Sequence, residues 1–343
     1  MSNVSIRPRS HIMSRRSVLE SAGRLAIAGL AAPAIARFSP ALAAFPDRPI
    51  KLVVPFGPGG PVDVVARLIA QPLADALGGA TMFIENKPGA SSNLGMGQVA
   101  RADPDGYTVL IAASNLVINP ILSTKVPFDI EKDFLPLVDI ADTPGTFSTR
   151  PDLGVKTISD FIELAKRRGK FSYAHAGFGT VAHLSAEYFK VKTGIDMAAV
   201  SHNGSGPAVQ SLLSGAVEFC SAGLPALHQH YTNGSVVGLG VLSRQRWFDL
   251  PEVPTAVEGG FSEFVMGNLN AMLVPARTPP EIADKLSTAL LSALKSDDAR
   301  MKFRTLGADI VAGGPKELSA RIEREVPMWR NIAKQAGIKP TDS

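Results

Sequence analysis

Cysteine is nearly absent from this sequence: Cys220 stands alone among 343 residues. An intramolecular disulfide is therefore excluded, even in an oxidising compartment. The residue lies in the apolar, strand-like run Val217-Glu218-Phe219-Cys220-Ser221, which reads as a buried structural thiol and not a nucleophile. Metal-ligand spacing is missing too. His175, His183, His202, His228 and His230 show neither HExxH spacing nor thiol partners, so no zinc site is expected and no cofactor is implied. Nor is there a Gly-x-Ser-x-Gly elbow or a pair of carboxylates at the loops, which leaves hydrolytic chemistry without an activated nucleophile. Lysine-rich stripes with interleaved aromatics are absent, and with them the case for a nucleic-acid partner.

What is present starts with an uneven charge. The chain carries a formal +4, yet residues 1–43 hold six arginines against one acid, Glu20, a net of +5, so the remainder is close to −1. The excess belongs to a segment with its own logic: Ser14-Arg15-Arg16-Ser17-Val18-Leu19 presents a twin arginine, and Leu25 to Ala36 form a weakly apolar stretch too short to span a bilayer stably. The small-x-small triplet Ala41-Leu42-Ala43 follows. We read residues 1–43 as a twin-arginine export signal, with Ala44 or Phe45 opening the mature chain in the periplasm; Sec export and an uncleaved anchor are the alternatives.

Beyond residue 43, β-branched runs alternate with amphipathic segments, the pattern of an α/β protein built around mostly parallel sheets. Strands are expected at 50–54, 82–85, 108–112, 198–200, 217–221, 236–242 and 271–274. Helices are expected at 61–77, 157–168, 180–193, 207–213, 279–295 and 315–336, several opening with proline or threonine as first-turn or capping residues. About 300 residues exceed the needs of one open sheet, so two domains are expected. Crossings are placed near 142–148 and 260–267, where Pro/Gly-rich sequence interrupts the alternation, giving lobes of 44–145 with 264–343 and of 146–263.

Two strand–loop–helix units carry the chemistry. The first is Phe56-Gly57-Pro58-Gly59-Gly60-Pro61-Val62-Asp63, after a strand and before a helix with apolar Val62, Val65, Ala66, Ile69 and Leu73. The second runs from Tyr173 through Ala176-Gly177-Phe178-Gly179-Thr180 to His183. Both place glycine at a helix N-terminus, where free N–H groups and the positive dipole end favour an anion. Phosphate fits poorly. The first loop ends in Gly60-Pro61-Val62-Asp63 with no Gly-Lys-Ser/Thr, Asp63 would repel a phosphate, and Pro58 with Pro61 breaks a dinucleotide fingerprint. A carboxylate, met in part through water, suits such a loop better. Asp63 reads as compensation for the helix dipole and not as a base. His183 is either a supporting residue or a ligand donor.

The chain resembles the Bug, or tripartite tricarboxylate transporter, periplasmic substrate-binding proteins. The likeness is carried by Phe45-Pro46-Asp47-Arg48-Pro49-Ile50, the Val54–Asp63 loop, Ile84-Glu85-Asn86-Lys87-Pro88-Gly89-Ala90, Pro104-Asp105-Gly106-Tyr107 and Ile118-Asn119-Pro120. Further matches are Tyr173 to Leu184, Leu250-Pro251-Glu252-Val253-Pro254-Thr255 and Pro275-Ala276-Arg277-Thr278-Pro279-Pro280. The resemblance implies a two-domain Venus flytrap of the periplasmic-binding (type II-like) kind, with a ligand cleft between the lobes. It implies no catalysis: a small carboxylate is captured and presented to tripartite tricarboxylate-type membrane transporter subunits. A monomer is expected for a diffusing receptor. Ala176, Gly179, Thr180 and His183 would meet one carboxylate through backbone and hydroxyl groups. Phe56, Gly59, Gly60 and Asp63 would meet the far end of the ligand, and Ser114 and Asn115 would line the cleft.

Two departures bear on the ligand. Ser201-His202-Asn203-Gly204 stands where the family commonly has Pro-Tyr-Lys-Gly, which places His202 and Asn203 on the cleft wall in place of an aromatic and a cation. A tryptophan common before the Leu-x-Pro-Ala-x-Thr-Pro stretch is replaced by the neighbourhood of Gly267-Asn268-Leu269-Asn270. Amino acids, aromatic acids and nicotinate-like rings therefore remain open as ligands. The alternatives to a transport receptor are a sensor subunit working by the same binding act, and an exported α/β enzyme using His175 or His183 as a general base.

Overall fold

The computed structural model describes residues 45–341, so the export-signal and cleavage readings lie outside the described residues. The strands are β1 Ile50–Val54, β2 Met82–Asn86, β3 Thr108–Ala113, β4 Phe134–Thr149, β5 Phe171–His175, β6 Met197–Ser201, β7 Phe219–Gly223, β8 Val237–Val241, β9 Gly267–Pro275 and β10 Asp309–Gly313. The helices are α1 Pro61–Ala76, α2 Asn93–Ala100, α3 Asn115–Leu122, α4 Ile158–Arg168, α5 Val181–Thr193, α6 Ser205–Leu213, α7 Leu224–Thr232, α8 Pro280–Ala293, α9 Asp297–Thr305 and α10 Pro315–Gln335. The fold is α/β and type II-like in its cleft geometry, as expected. Its sheet is not mostly parallel.

The ten strands run in the order β2-β1-β3-β9-β4-β7-β5-β6, with β10 and β8 also paired to β4. β1 pairs parallel with β2 and β3, and β5 pairs parallel with β6 and β7. Every ladder that involves β4 or β9 is antiparallel. Register explains why the sheet must be mixed. β9 joins β4 from Phe134↔Pro275 to Pro144↔Gly267, and β7 takes over from Gly145↔Gly223 to Thr149↔Phe219. One long strand thus serves two parallel triplets that approach it from opposite ends, and a shared strand cannot run parallel to both.

The same register aims the loops. β3 ends at Ala113 opposite Asn270, near the start of β9, so β1, β2 and β3 point their C-terminal ends toward the middle of β4. β7 ends at Gly223 opposite Gly145, so β5, β6 and β7 point theirs toward the same place from the other side. Loops after the C-terminal ends of parallel strands form the usual crevice of an α/β sheet. Here two such ends converge on one crevice.

The stretch 142–148, expected to interrupt the alternation, is the interior of β4. Pro144, which cannot donate to a ladder, falls where the partner strand changes, and proline is tolerated there. Gly145 donates its N–H to the Met266 carbonyl and accepts from Leu242, while a side chain in its place would meet Leu242 Cδ1 at 3.0 Å. A buried ionic cluster secures the crossing. Arg321 of α10 reaches Asp139 at 3.2 Å, Asp142 at 2.7 Å and Glu325 at 2.7 Å.

The core follows from apolar periodicity. α1 buries Val62, Val65, Ala66, Ile69 and Leu73 against the first triplet, and phenylalanine fills the second half. Phe147 of β4 lies 4.9 Å from Phe189, 5.3 Å from Phe219 and 5.5 Å from Phe264, ring to ring. Burying such a ring contributes about 1.5–3 kcal/mol. Cys220 is fully buried in β7, and burial pushes its thiol up to about 12, as suits a structural residue. At the N-terminal edge, buried Phe45 meets Tyr107 edge-on at 5.0 Å. Gly106 accounts for the Pro-Asp-Gly-Tyr motif: its φ is +82°, and any Cβ would fall 2.3 Å from Ile282.

Candidate functional site

The first loop joins β1 to α1. Gly59 adopts a φ of +78°, which frees the turn to fold back on its own helix. Its N–H donates to Asp63 Oδ2 at 2.8 Å, Arg67 donates to the same oxygen at 2.8 Å, and Asn86 Nδ2 donates to Oδ1 at 2.8 Å. Asn86 also holds the Phe56 carbonyl at 3.1 Å. Asp63 is buried, and burial opposes its ionisation, but Arg67, Gly59 and Asn86 outweigh that and hold the carboxyl below its ordinary range. Asp63 lies in the first turn of α1, and the Gly59 N–H is already occupied. Gly60 is the N-cap and Phe56 is half-buried beside the turn.

The second loop joins β5 to α5. Gly177 (φ +130°) and Gly179 (φ +72°) bracket Phe178. Thr180 caps α5: its hydroxyl donates to the Gly177 carbonyl at 2.7 Å and accepts the His183 N–H at 3.3 Å. Gly179 N–H donates to His183 Nδ1 at 3.3 Å, and His175 Nδ1 faces the N–H of Gly177 at 3.3 Å and its carbonyl at 3.1 Å. The glycine N–H groups expected to be free at this loop are thus turned onto histidines. Among the described residues, the N–H groups without an acceptor here include those of Phe178, Val181 and Ala182.

Both histidines are buried and neutral. Burial holds His183 down to about 4, with neighbouring His175 acting in the same direction. His175 also lies below its ordinary value because of burial, despite its contact with Gly177. Their rings are 4.6 Å apart, Phe178 lies 5.0 Å beyond His183, and Tyr173 lies 5.5 Å behind His175. Behind the loop, the Tyr173 hydroxyl bonds Glu187, which also holds Lys190 at 3.0 Å. Nδ1 is thus engaged on both rings.

The remaining expected site residues divide. Ser114 is fully buried, and its Oγ takes the Leu269 N–H at 2.9 Å, which makes it a strut between β3 and β9. Asn115 opens α3 and is partly exposed at the end of β3. His202 and Asn203 follow β6: the His202 N–H donates to the His175 carbonyl at 3.0 Å, and its Nε2 is buried without a partner. Ala176, partly exposed, accepts the Gly204 N–H at 3.1 Å. Two surface cavities flank α1 on the sides of α8 and α9, and neither touches a crevice loop.

One crevice element escaped sequence reasoning. After β2, Ala90, Ser91 and Ser92 all take positive φ (47°, 52° and 76°), a left-handed run that non-glycine residues avoid. Asn119 of α3 secures it by donating to the Ser91 carbonyl and to Asn93 Oδ1, both at 2.7 Å. Gly89 was the only local signal, and the residues after it argue against the conformation they adopt.

Comparison with known proteins agrees with this geometry. A family model described as the tripartite tricarboxylate transporter family receptor matches residues 65–338. Protein BugT of Bordetella pertussis is 33% identical over 318 residues, 92% of this chain and 95% of BugT. Among solved structures, Rpa4515 of R. palustris with adipate superposes with a TM-score of 0.80 at 33% identity, covering 87% of this chain and 100% of that one. MatC from Rhodopseudomonas palustris with bound malate gives a TM-score of 0.74 at 31% identity, covering 84% and 99%. The family model describes a receptor, and solved relatives include the periplasmic binding protein BugD, 32% identical with a TM-score of 0.77 and covering 87% of this chain and 100% of that one, so the family is one of binding proteins and not of enzymes; no described helix is long and apolar enough to cross a membrane. This chain belongs to the tripartite tricarboxylate transporter receptor family, the Bug-type periplasmic solute-binding proteins.

Proposed function

We propose that this protein captures a small carboxylate-bearing metabolite in the crevice at the middle of β4 and delivers it to tripartite tricarboxylate-type membrane transporter subunits. The observation that carries the reading is the convergence of two loop–helix units, after β1 and after β5, on the point where β4 passes from one triplet to the other. The lobes are 44–145 with 264–343, and 146–263; residues 1–43 direct export by the twin-arginine route, and the receptor acts as a monomer. Relatives with bound adipate and malate support a carboxylate as the solute. Phe56, Gly60, Asn115, Ala176, Thr180, His202 and Asn203 border the ligand. Gly59, Asp63, Gly179 and His183 shape the two loops, and Ser114 holds the crevice floor.

Closure follows from differential contact. A ligand that touches both lobes only when they close stabilises the closed state by that difference and by nothing else. Calorimetry on the purified protein with mono-, di- and tricarboxylates tests this. A bound carboxylate recovered chemically unchanged is the expected result, and at about 100 times its Kd it should add about 2.7 kcal/mol of stability. Consumption of the ligand would overturn the receptor reading, and a thermal denaturation series blank for every carboxylate would overturn the ligand class.

A further inference from the structure

Lys166, Arg167, Arg168 and Lys170 put four cations into five consecutive positions at the end of α4. All four are exposed, and none has an ion pair or a side-chain hydrogen bond among the described residues. Other cations at this end of the sheet are committed: Arg150 to Asp152, Lys190 to Glu187 and Lys192 to Glu263. Nearby acids are engaged elsewhere. Glu218 accepts the Ser172 N–H at 2.8 Å, and Asp160 accepts the Thr157 N–H at 3.1 Å.

Local structure does not require so many charges. The negative end of the α4 dipole is served by one or two cations in the last turn. Lys170 lies outside the helix, past its C-cap Gly169, with a φ of +34° that lysine adopts less readily than glycine or asparagine. Like charges crowded together repel one another, so the cluster persists against its own electrostatics.

Its position is defined by the sheet. Lys170 is followed directly by β5, whose far end, His175, reaches the crevice, so the cluster sits where β5, β6 and β7 begin, away from the crevice. The opposite end of the molecule has the other sign: the residues leading into β1 and β3 include Asp47, Asp103 and Asp105 against Arg48 and Arg101. Beyond residue 43 the chain is close to −1, and exposed Lys316 and Arg324 of α10 stand beside Glu317 and Glu323. The cluster is therefore a local feature and not part of a generally basic surface.

Four solvated side chains with no frame of hydrogen bonds cannot select the shape of one anion. They suit a surface whose negative charges are dense and mobile. We propose that the cluster at 166–170 is a docking surface for anionic phospholipid headgroups, which holds the receptor reversibly at a membrane with its crevice open to solution. Four contacts of this kind correspond to a Kd on the order of 1 mM, weak enough for the protein to leave the surface and return.

Cosedimentation with vesicles of phosphatidylcholine, alone or with roughly 30% phosphatidylglycerol, tests the proposal. The chain is used from Ala44 onward, because the residues from Phe45 form one compact unit and the arginines of 1–43 would bind such vesicles themselves. Retention by the phosphatidylglycerol vesicles alone is expected, with release at about 0.5 M salt. Combining Lys166→Gln, Arg167→Gln, Arg168→Gln and Lys170→Gln should lower the partition about tenfold or more and leave the melting temperature and carboxylate calorimetry of the parent unchanged. A control combining Lys316→Gln, Arg324→Gln, Arg330→Gln and Lys334→Gln removes the same charge from α10 and should bind as the parent does.

Equal losses in the two variants would reduce the effect to net charge and overturn the proposal. So would a parent that ignores phosphatidylglycerol, which would leave an acidic protein surface as the partner. The proposal rests on the receptor function above for its purpose alone: vesicle binding reports on the cluster and calorimetry on the crevice, so either can fail without the other.

Discussion

The backbone N–H of Gly59 donates to the carboxylate of Asp63, four residues along the chain, at 2.8 Å. That bond closes the loop after β1 onto its own helix, one residue before the N-cap Gly60, which itself carries no side-chain cap. Anion binding at this loop consequently depends on groups other than Gly59.

Asp63→Ala should destabilise the protein by roughly 2–3 kcal/mol, because it leaves Gly59 and Arg67 without their acceptor and removes one partner of Asn86. Urea denaturation measures it. The carboxyl sits below its ordinary value in the fold, so its contribution is present above the unfolded pKa and fades as the pH falls through the folded one. A variant as stable as the parent at pH 7 would show that the loop does not rely on this acid.

Acid should weaken the second loop. His183 is held to about 4 against an ordinary 6.5, so the unfolded state binds more protons between those values and stability declines as pH falls from 6.5 toward 4. Asp139, raised to about 6 by burial against the pull of Arg321, acts with the opposite sign and loses stability as pH rises from 3.8 to 6. Comparing unfolding midpoints of the parent with His183→Gln, which keeps an acceptor for Gly179, isolates the histidine. The variant should lose less stability on acidification, and identical pH profiles would rule His183 out as the source.

Thr180→Val should cost about 1 kcal/mol in stability, because the hydroxyl both caps α5 and ties back to the Gly177 carbonyl. Affinity for carboxylates should drop with it, since the loop that presents the Phe178, Val181 and Ala182 donors is no longer closed. Thr180→Ser should retain both. Chemical denaturation and calorimetry on the same preparations separate the two effects.

Gly267→Ala tests the crossing. A Cβ at this position would lie 2.1 Å from Asp142 Oδ2, and Asp142 is held by Arg321 at 2.7 Å, so the acid must leave its partner. The expected loss is about 1–2 kcal/mol. It should largely vanish in an Asp142→Ala background, where a double-mutant cycle would report the coupling. Additive effects would show that the glycine serves backbone freedom and not the ionic cluster.

The two crevice loops were legible in the sequence because their signals are local. Glycine at Gly59, Gly177 and Gly179 permits the positive φ each loop needs, and Pro61 and Thr180 mark the helix starts that follow. Strand periodicity placed β1 and β3 to within a residue for the same reason. The left-handed run Ala90–Ser92 was not legible, since its conformation is imposed by Asn119 from a different helix.

What the sequence by itself determined was the alternation of strands and helices, the two glycine loops and the family pattern distributed from Phe45 to Pro280, all properties of short segments. Only the tertiary structure decided that Pro144 and Gly145 lie inside a 16-residue strand, that this strand joins two oppositely directed triplets, and that the glycine N–H groups are turned onto Asp63, His175 and His183. Those outcomes depend on which distant segments meet. Strand direction and hydrogen-bond partners are settled by long-range pairing, and β4 could be recognised as one strand only once β9 and β7 supplied its ladders on either side of the crossing.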